Sequence, residues 1–97
     1  MYGLIGKMLA VPDKRDEVLG ILLEGTGGMP GCLAYIVAKD AKEPNAIWIT
    51  DVWDREASHD ASLSLPQVQA AIAKAMPLIA GFESQTTIEP VGGVGLT

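Results

Sequence analysis

Residues Ala46–Trp53, AIWITDVW, leave this chain few places to go. β-Branched and aromatic side chains dominate the stretch, which marks it as a strand. Side chains alternate along a strand, so Ile47, Ile49, Asp51 and Trp53 share one face and Trp48, Thr50 and Val52 the other. Both faces are mostly apolar. Such a strand belongs inside a sheet that is covered on two sides, because water against either face would leave apolar area exposed. The run breaks at Asp54-Arg55-Glu56 into a helical segment carrying the one histidine, His59. Both tryptophans and that histidine fall within residues 46–59, the expected address of any site.

The remaining segments are read around this strand. Residues 2–11 form a second apolar run, interrupted by Lys7 and carrying Gly3 and Gly6, whose lack of a side chain points to close approach of a neighbour or ligand. Pro12-Asp13 ends it, and Asp13 is placed to cap a helix with Val18, Leu19, Leu22 and Leu23 on its apolar face. Gly25-Thr26-Gly27-Gly28 stops that helix. It is no phosphate loop: the glycine spacing fails at Pro30, and the run follows a helix where a phosphate loop precedes one. A strand is expected over Cys32–Lys39, then a polar hairpin loop over 40–45 that pairs it antiparallel with Ala46–Trp53. Asp54 is read as the cap of a short helix over 55–63. Ser64-Leu65-Pro66-Gln67 has capping-box spacing ahead of a longer helix, whose apolar side is Leu65, Val68, Ala71, Ile72, Ala75 and Met76. Pro77 and Gly81 end it, residues 85–89 are a short last strand, and residues 90–97 are a glycine-rich tail.

The order strand, helix, strand, strand, helix, strand suits one α+β domain over residues 1–97, a split β-α-β arrangement of a four-stranded antiparallel sheet with its helices on one face. The other face would then be bare although its strands are apolar on both sides. Monomers tolerate exposed apolar patches of only a few hundred Å². A second copy related by a two-fold axis is the simplest cover, so a homodimer through the sheet faces, burying about 800 Å² per partner, is expected. A net charge of −5, with scattered lysines and arginines, speaks against nucleic acid. The one cysteine, Cys32, forms no intrachain disulfide, the start lacks signal-peptide character, and no apolar run reaches membrane-spanning length; a cytoplasmic location and no membrane partner are expected.

Three stretches carry a likeness to a known family: Met29-Pro30-Gly31-Cys32-Leu33, Asp51-Val52-Trp53-Asp54-Arg55-Glu56-Ala57, and His59 shortly after. With this layout they resemble the antibiotic biosynthesis monooxygenase family of dimeric α+β barrel proteins. The resemblance implies a ferredoxin-like fold, dimerisation through the sheets, and a pocket between sheet and helices for a small hydrophobic or aromatic molecule. Members oxidise aromatic polyketide-like substrates with O2 and no metal or flavin, relatives degrade haem, and others isomerise small signalling molecules. Haem-degrading relatives use an asparagine in strand one, the tryptophan ending strand three and a histidine on the last long helix. Trp53 matches the second, but strand one offers Lys7 and the helix over 65–76 has no histidine, which argues against haem degradation.

The reading that follows is a cofactor-independent monooxygenase of a phenolic, quinol-like or polyketide-like substrate, with O2 as co-substrate. The alternatives are a non-catalytic dimeric binding module, an isomerase of the same superfamily, and a domain whose pocket is filled by its own side chains. An oxygenase of this kind needs a base, donors for the resulting oxyanion and an aromatic-lined cavity. Histidine ordinarily titrates near neutrality, so His59 is the candidate base. Tyr35 is the candidate hydroxyl donor, and Trp53 or Trp48 offers an indole N–H and a stacking surface, with Trp53 favoured by the likeness. Met8, Trp48, Val68, Ile72 and Phe82 are the candidate pocket wall. Each also has a plain reading as core or surface. Glu56-x-x-His59 is half a di-iron ligand set without a second histidine, and no G-x-S-x-G elbow presents a serine; neither a metal, a cofactor nor covalent catalysis is expected.

Overall fold

A computed structural model describes residues 1–96 and resolves the chain into four strands and three α-helices. In chain order these are β1 (Tyr2–Ala10), α1 (Arg15–Gly25), β2 (Cys32–Lys39), β3 (Ala46–Trp53), α2 (Glu56–Ser62), α3 (Pro66–Ala75), a 3-10 turn (Met76–Leu78) and β4 (Ile79–Ile88). The sheet order is β2-β3-β1-β4 with every neighbouring pair antiparallel, the ferredoxin-like layout. β3 is an interior strand, as its two apolar faces require. No helix among the described residues is long and apolar enough to cross a membrane.

The helices cover one face, and the core beneath them comes in two parts. One gathers Ala10, Val18 and Ile47 with Met8, Leu19, Leu22 and Ile49; the other gathers Met29, Trp53 and Val68 with Tyr2, Tyr35 and Leu65. α1 and α3 cross at Gly25, where any side chain would run into the Ala71 methyl. This places the buried line of α1 through Val18 and Gly25. Leu23, about 140° around the helix from Val18, therefore points outward and is 62% exposed, against the expectation that it joins the apolar face.

All three expected helix caps are corrected. Asp13 takes a left-handed φ of 69° as the third residue of a tight turn closed by Lys14 N–H donating to Val11 O (3.1 Å), and α1 begins without a side-chain cap. Asp54 lies one residue before the capping position of α2, which Arg55 occupies, and its backbone N–H donates to Gly31 O (2.9 Å). The capping box at Ser64 is out of register by one: Leu65 takes the cap position, Pro66 the first turn, and the Gln67 amide donates instead to Gly27 O (2.7 Å), tying α3 to the loop after α1.

The last strand is ten residues long and starts at Ile79, well before the expected 85–89. Gly81 continues a strand because β1 offers ladder partners as far as Ala10, opposite Ile79. Register shifts interrupt that pairing, and one has a consequence for the site. Lys7 pairs with Ser84 but Met8 with Phe82, so Glu83 is the extra residue of a bulge. Without it Phe82 would lie on the sheet face away from the helices. At the end of β4, Ile88 and the following Pro90 pack where a side chain at Gly3 would stand (2.8 and 3.0 Å). Gly3 thus marks a neighbour's approach. Thr97, the last tail residue, lies outside the described residues.

Candidate functional site

A cavity of about 600 Å³ lies between the two parts of the core, under the helices and against β1, β3 and β4. The possibility of a pocket filled by the protein's own side chains is thereby overturned. Alternation along the strands decides which residues reach it. Leu4, Gly6 and Met8 of β1 stand opposite Asp51, Ile49 and Ile47 of β3, and Tyr35 of β2 stands opposite Asp51 from the other side. Leu22, Met29, Val68 and Ala71 close it from the helices and the loop after α1. Leu63, Ile72 and Phe82 line it too but are 50%, 44% and 66% exposed, so they form its mouth.

His59, Trp53 and Tyr35 all line this space, as do Met8, Val68, Ile72 and Phe82. Trp48 does not. It pairs with Lys7 on the face away from the helices, where its indole N–H donates to Asp40 Oδ2 (2.7 Å) and the Lys7 ammonium lies 5.6 Å from its ring centre. Its place in the expected pocket wall is corrected: the period of two that puts Trp53 inside puts Trp48 outside. The ammonium of Lys7 is in turn held by Glu43 (2.8 Å) and Glu83 (3.0 Å).

The residue that sequence reasoning passed over is Asp51. It is 6% exposed and its Oδ2 accepts a 2.6 Å hydrogen bond from the indole N–H of Trp53, itself 1% exposed. Burial raises the Asp51 carboxyl above its ordinary range, against the Trp53 bond and the nearby His59, which favour the charged form. Tyr35 is pushed up to about 12, chiefly by burial and then by the charge of Asp51, so its hydroxyl stays a donor at neutral pH. The signal was available: Asp51 is the one charged residue in an otherwise uncharged strand, on the face shared with Trp53. The His59 ring, on α2, meets the edge of Trp53 (centroids 5.6 Å, planes 77° apart) and lies 5.5 Å from the Tyr2 ring. Its Nδ1 is 3.2 Å from Asp60 Oδ1.

The loop before β2 sets α2 in place. Gly31 has φ of 80°, and a side chain there would meet the Ser58 hydroxyl at 2.5 Å and Asp54 Oδ1 at 2.8 Å. Ser58, through its hydroxyl, is the main reason the Asp54 carboxyl sits below its ordinary range. The stretches around Met29-Pro30-Gly31 and Asp51 to His59 are thus one packed unit: Met29 lies against Trp53 and Gly31 against the start of the histidine helix. Among the described residues no group of three or more His, Cys, Asp or Glu side chains is placed to hold a metal ion.

Fold and cavity together define a small ferredoxin-like α+β protein with a half-open cavity between its sheet and its helices. Its sequence places it more narrowly: the chain belongs to the antibiotic biosynthesis monooxygenase family, whose sequence model matches residues 1–74. Among solved structures it is similar to one from Chloroflexus aurantiacus J-10-fl described as a candidate antibiotic biosynthesis monooxygenase. The two share 58% identity over 99% of this chain and 98% of that one, with a TM-score of 0.96. One of the same description from Deinococcus radiodurans shares 26% identity over 97% and 96% of the chains, with a TM-score of 0.79. A third, from Caulobacter crescentus CB15, shares the fold at 19% identity over 94% and 90%, with a TM-score of 0.84. No curated protein matches.

Proposed function

We propose that the protein is a cofactor-independent monooxygenase of a small phenolic or quinol-like aromatic, with O2 as co-substrate. The observation that carries this reading is a mostly apolar cavity of about 600 Å³ whose wall holds a half-buried imidazole and phenol together with a buried indole and carboxylate. His59 is the base that takes a substrate proton, Nδ1 being turned to Asp60 and Nε2 left for the ligand. Tyr35, protonated at neutral pH, donates to the oxyanion. Trp53 has its N–H committed to Asp51, so its contribution is the ring against which an aromatic packs. With an anthrone-type substrate the methylene becomes a carbonyl: one atom of O2 enters as the carbonyl oxygen and the other leaves as water.

The bare sheet face supports a homodimer. Ile5, Ile36, Thr50 and Thr86 stand in one row across it, Ile36 58% exposed, with Trp48 and Ala38 in the next. A second copy is the cover this face calls for.

The test is oxygen uptake with a panel of anthrones, quinols and flavonols. Turnover by the wild-type protein that falls at least tenfold in His59→Ala is expected, whereas undiminished turnover removes the base. Thermal stabilisation by these compounds without oxygen uptake would make the protein a binding module. Sedimentation should give a dimer at micromolar concentration, and Ile36→Lys should shift it toward monomer.

A further inference from the structure

Burial separates Asp51 from every other carboxylate of the chain. Among the described residues it is the one buried charged group, and it lines the cavity. We propose that Asp51 is the acceptor for a ligand hydroxyl and the residue that makes the cavity select neutral hydroxylated aromatics over their ionised or carboxylated counterparts. This rests on reading the cavity as an aromatic-ligand site, and adds to that reading which chemical form is bound and by what.

The indole of Trp53 donates to Oδ2 and so fixes the carboxylate in the cavity wall; beyond that bond and the one from its own backbone N–H, a carboxylate keeps lone pairs with which to accept from a ligand. The groups that face Asp51 are Tyr35 and Cys32 from β2 and His59 from α2, with uncharged Leu4 opposite it on β1. None is a fixed cation. Lys7 borders the cavity from β1, but its ammonium is held between Glu43 and Glu83, and Glu83 borders the cavity as well. An anion entering this space meets a buried carboxylate with only His59 to offset it, whereas a neutral phenol offers Asp51 a proton to accept. The apolar wall by itself disfavours an ion, so what distinguishes Asp51 as acceptor is a preference for the neutral form that depends on its charge. With a merely structural Asp51 the preference would survive neutralising that charge.

The test is binding of a nitrophenol, whose neutral and ionised forms differ in absorbance, across the pH range of its own ionisation. The wild-type protein is expected to bind the neutral form about tenfold or more tightly, moving the bound chromophore's ionisation upward by about one pH unit or more. Asp51→Asn should lower the preference at least several-fold, while Glu17→Gln, which removes one negative charge from an exposed acid of α1 outside the cavity, should keep it. Ionised nitrophenol bound by the wild type, a preference that survives Asp51→Asn, or no binding at all overturns the proposal. If Asp51→Asn does not fold, a wild-type spectrum showing the ionised form bound still overturns the proposal. Oxygen plays no part in this measurement, so failure of the proposed oxygenation leaves it standing. Conversely, oxygen uptake with ionised ligand bound sinks Asp51 alone.

Discussion

Replacing Trp53 with phenylalanine strikes the bond on which the cavity wall depends. The indole N–H donates 2.6 Å to a carboxylate that is 6% exposed, from a ring that is 1% exposed. A hydrogen bond to a buried charged group is worth roughly 1.5–3 kcal/mol. The smaller ring adds about 1 kcal/mol of lost packing. Trp53→Phe should therefore destabilise the protein by about 3 kcal/mol, or roughly 12–24 °C in Tm for a domain of this size. Packing and hydrogen bonding are separated by repeating the change in an Asp51→Asn background. There the amide oxygen accepts only a neutral bond, worth about 1 kcal/mol. The tryptophan change should then cost about 2 kcal/mol, a coupling of about 1 kcal/mol between the two sites. Urea unfolding followed by circular dichroism, at one fixed protomer concentration because dimerisation would otherwise shift the midpoint, measures all four proteins. A coupling within about 0.3 kcal/mol of zero would refute the reasoning.

The remaining predictions concern charge, a turn and the cavity. Because burial raises the Asp51 carboxyl, the native chain holds that proton to higher pH than the unfolded chain does. Its contribution to stability is therefore fullest below the ordinary carboxylate value of about 3.9 and is lost as pH rises through that value to the raised one. The wild-type curve minus the Asp51→Asn curve isolates this fall from Asp40 and Asp54, whose lowered carboxyls act in the opposite sense; a flat difference would contradict it. Gly31→Ala adds a side chain at φ of 80° against Ser58 and Asp54, and should cost about 2–3 kcal/mol in chemical denaturation. A Cβ at Gly6 meets only the Ser84 carbonyl, at 3.5 Å, and Gly6 lines the cavity, so Gly6→Val takes up cavity space. It should change stability by less than about 1 kcal/mol while weakening nitrophenol binding at least tenfold; unaltered binding in that variant would place the ligand elsewhere.

Alternation along Ala46–Trp53 was enough to read an interior strand, to put Trp53 and Asp51 on one face, and to leave Trp48 on the other, because a strand's period of two is a local property. β2 and β3 likewise stand where turn residues and apolar runs put them. What local chemistry could not decide was every feature set by a distant partner. The capping spacing at Ser64 was genuine, but Gln67 bonds to Gly27, forty residues away, and the helix starts one residue later. Leu23 fits the apolar stripe of α1, yet the crossing at Gly25 and Ala71 chose which line of that helix is buried. β4 begins six residues earlier than its own sequence suggests because β1 supplies the ladder, and the bulge at Glu83 turns Phe82 into the cavity mouth. Asp51 is the sharpest case: its strand position was plain, but its burial, its bond to Trp53 and its place on the cavity wall exist only once β1, β2 and α2 close around it. Strand period and turn residues act over a few neighbours, whereas burial and charge are set by whatever the whole chain brings alongside.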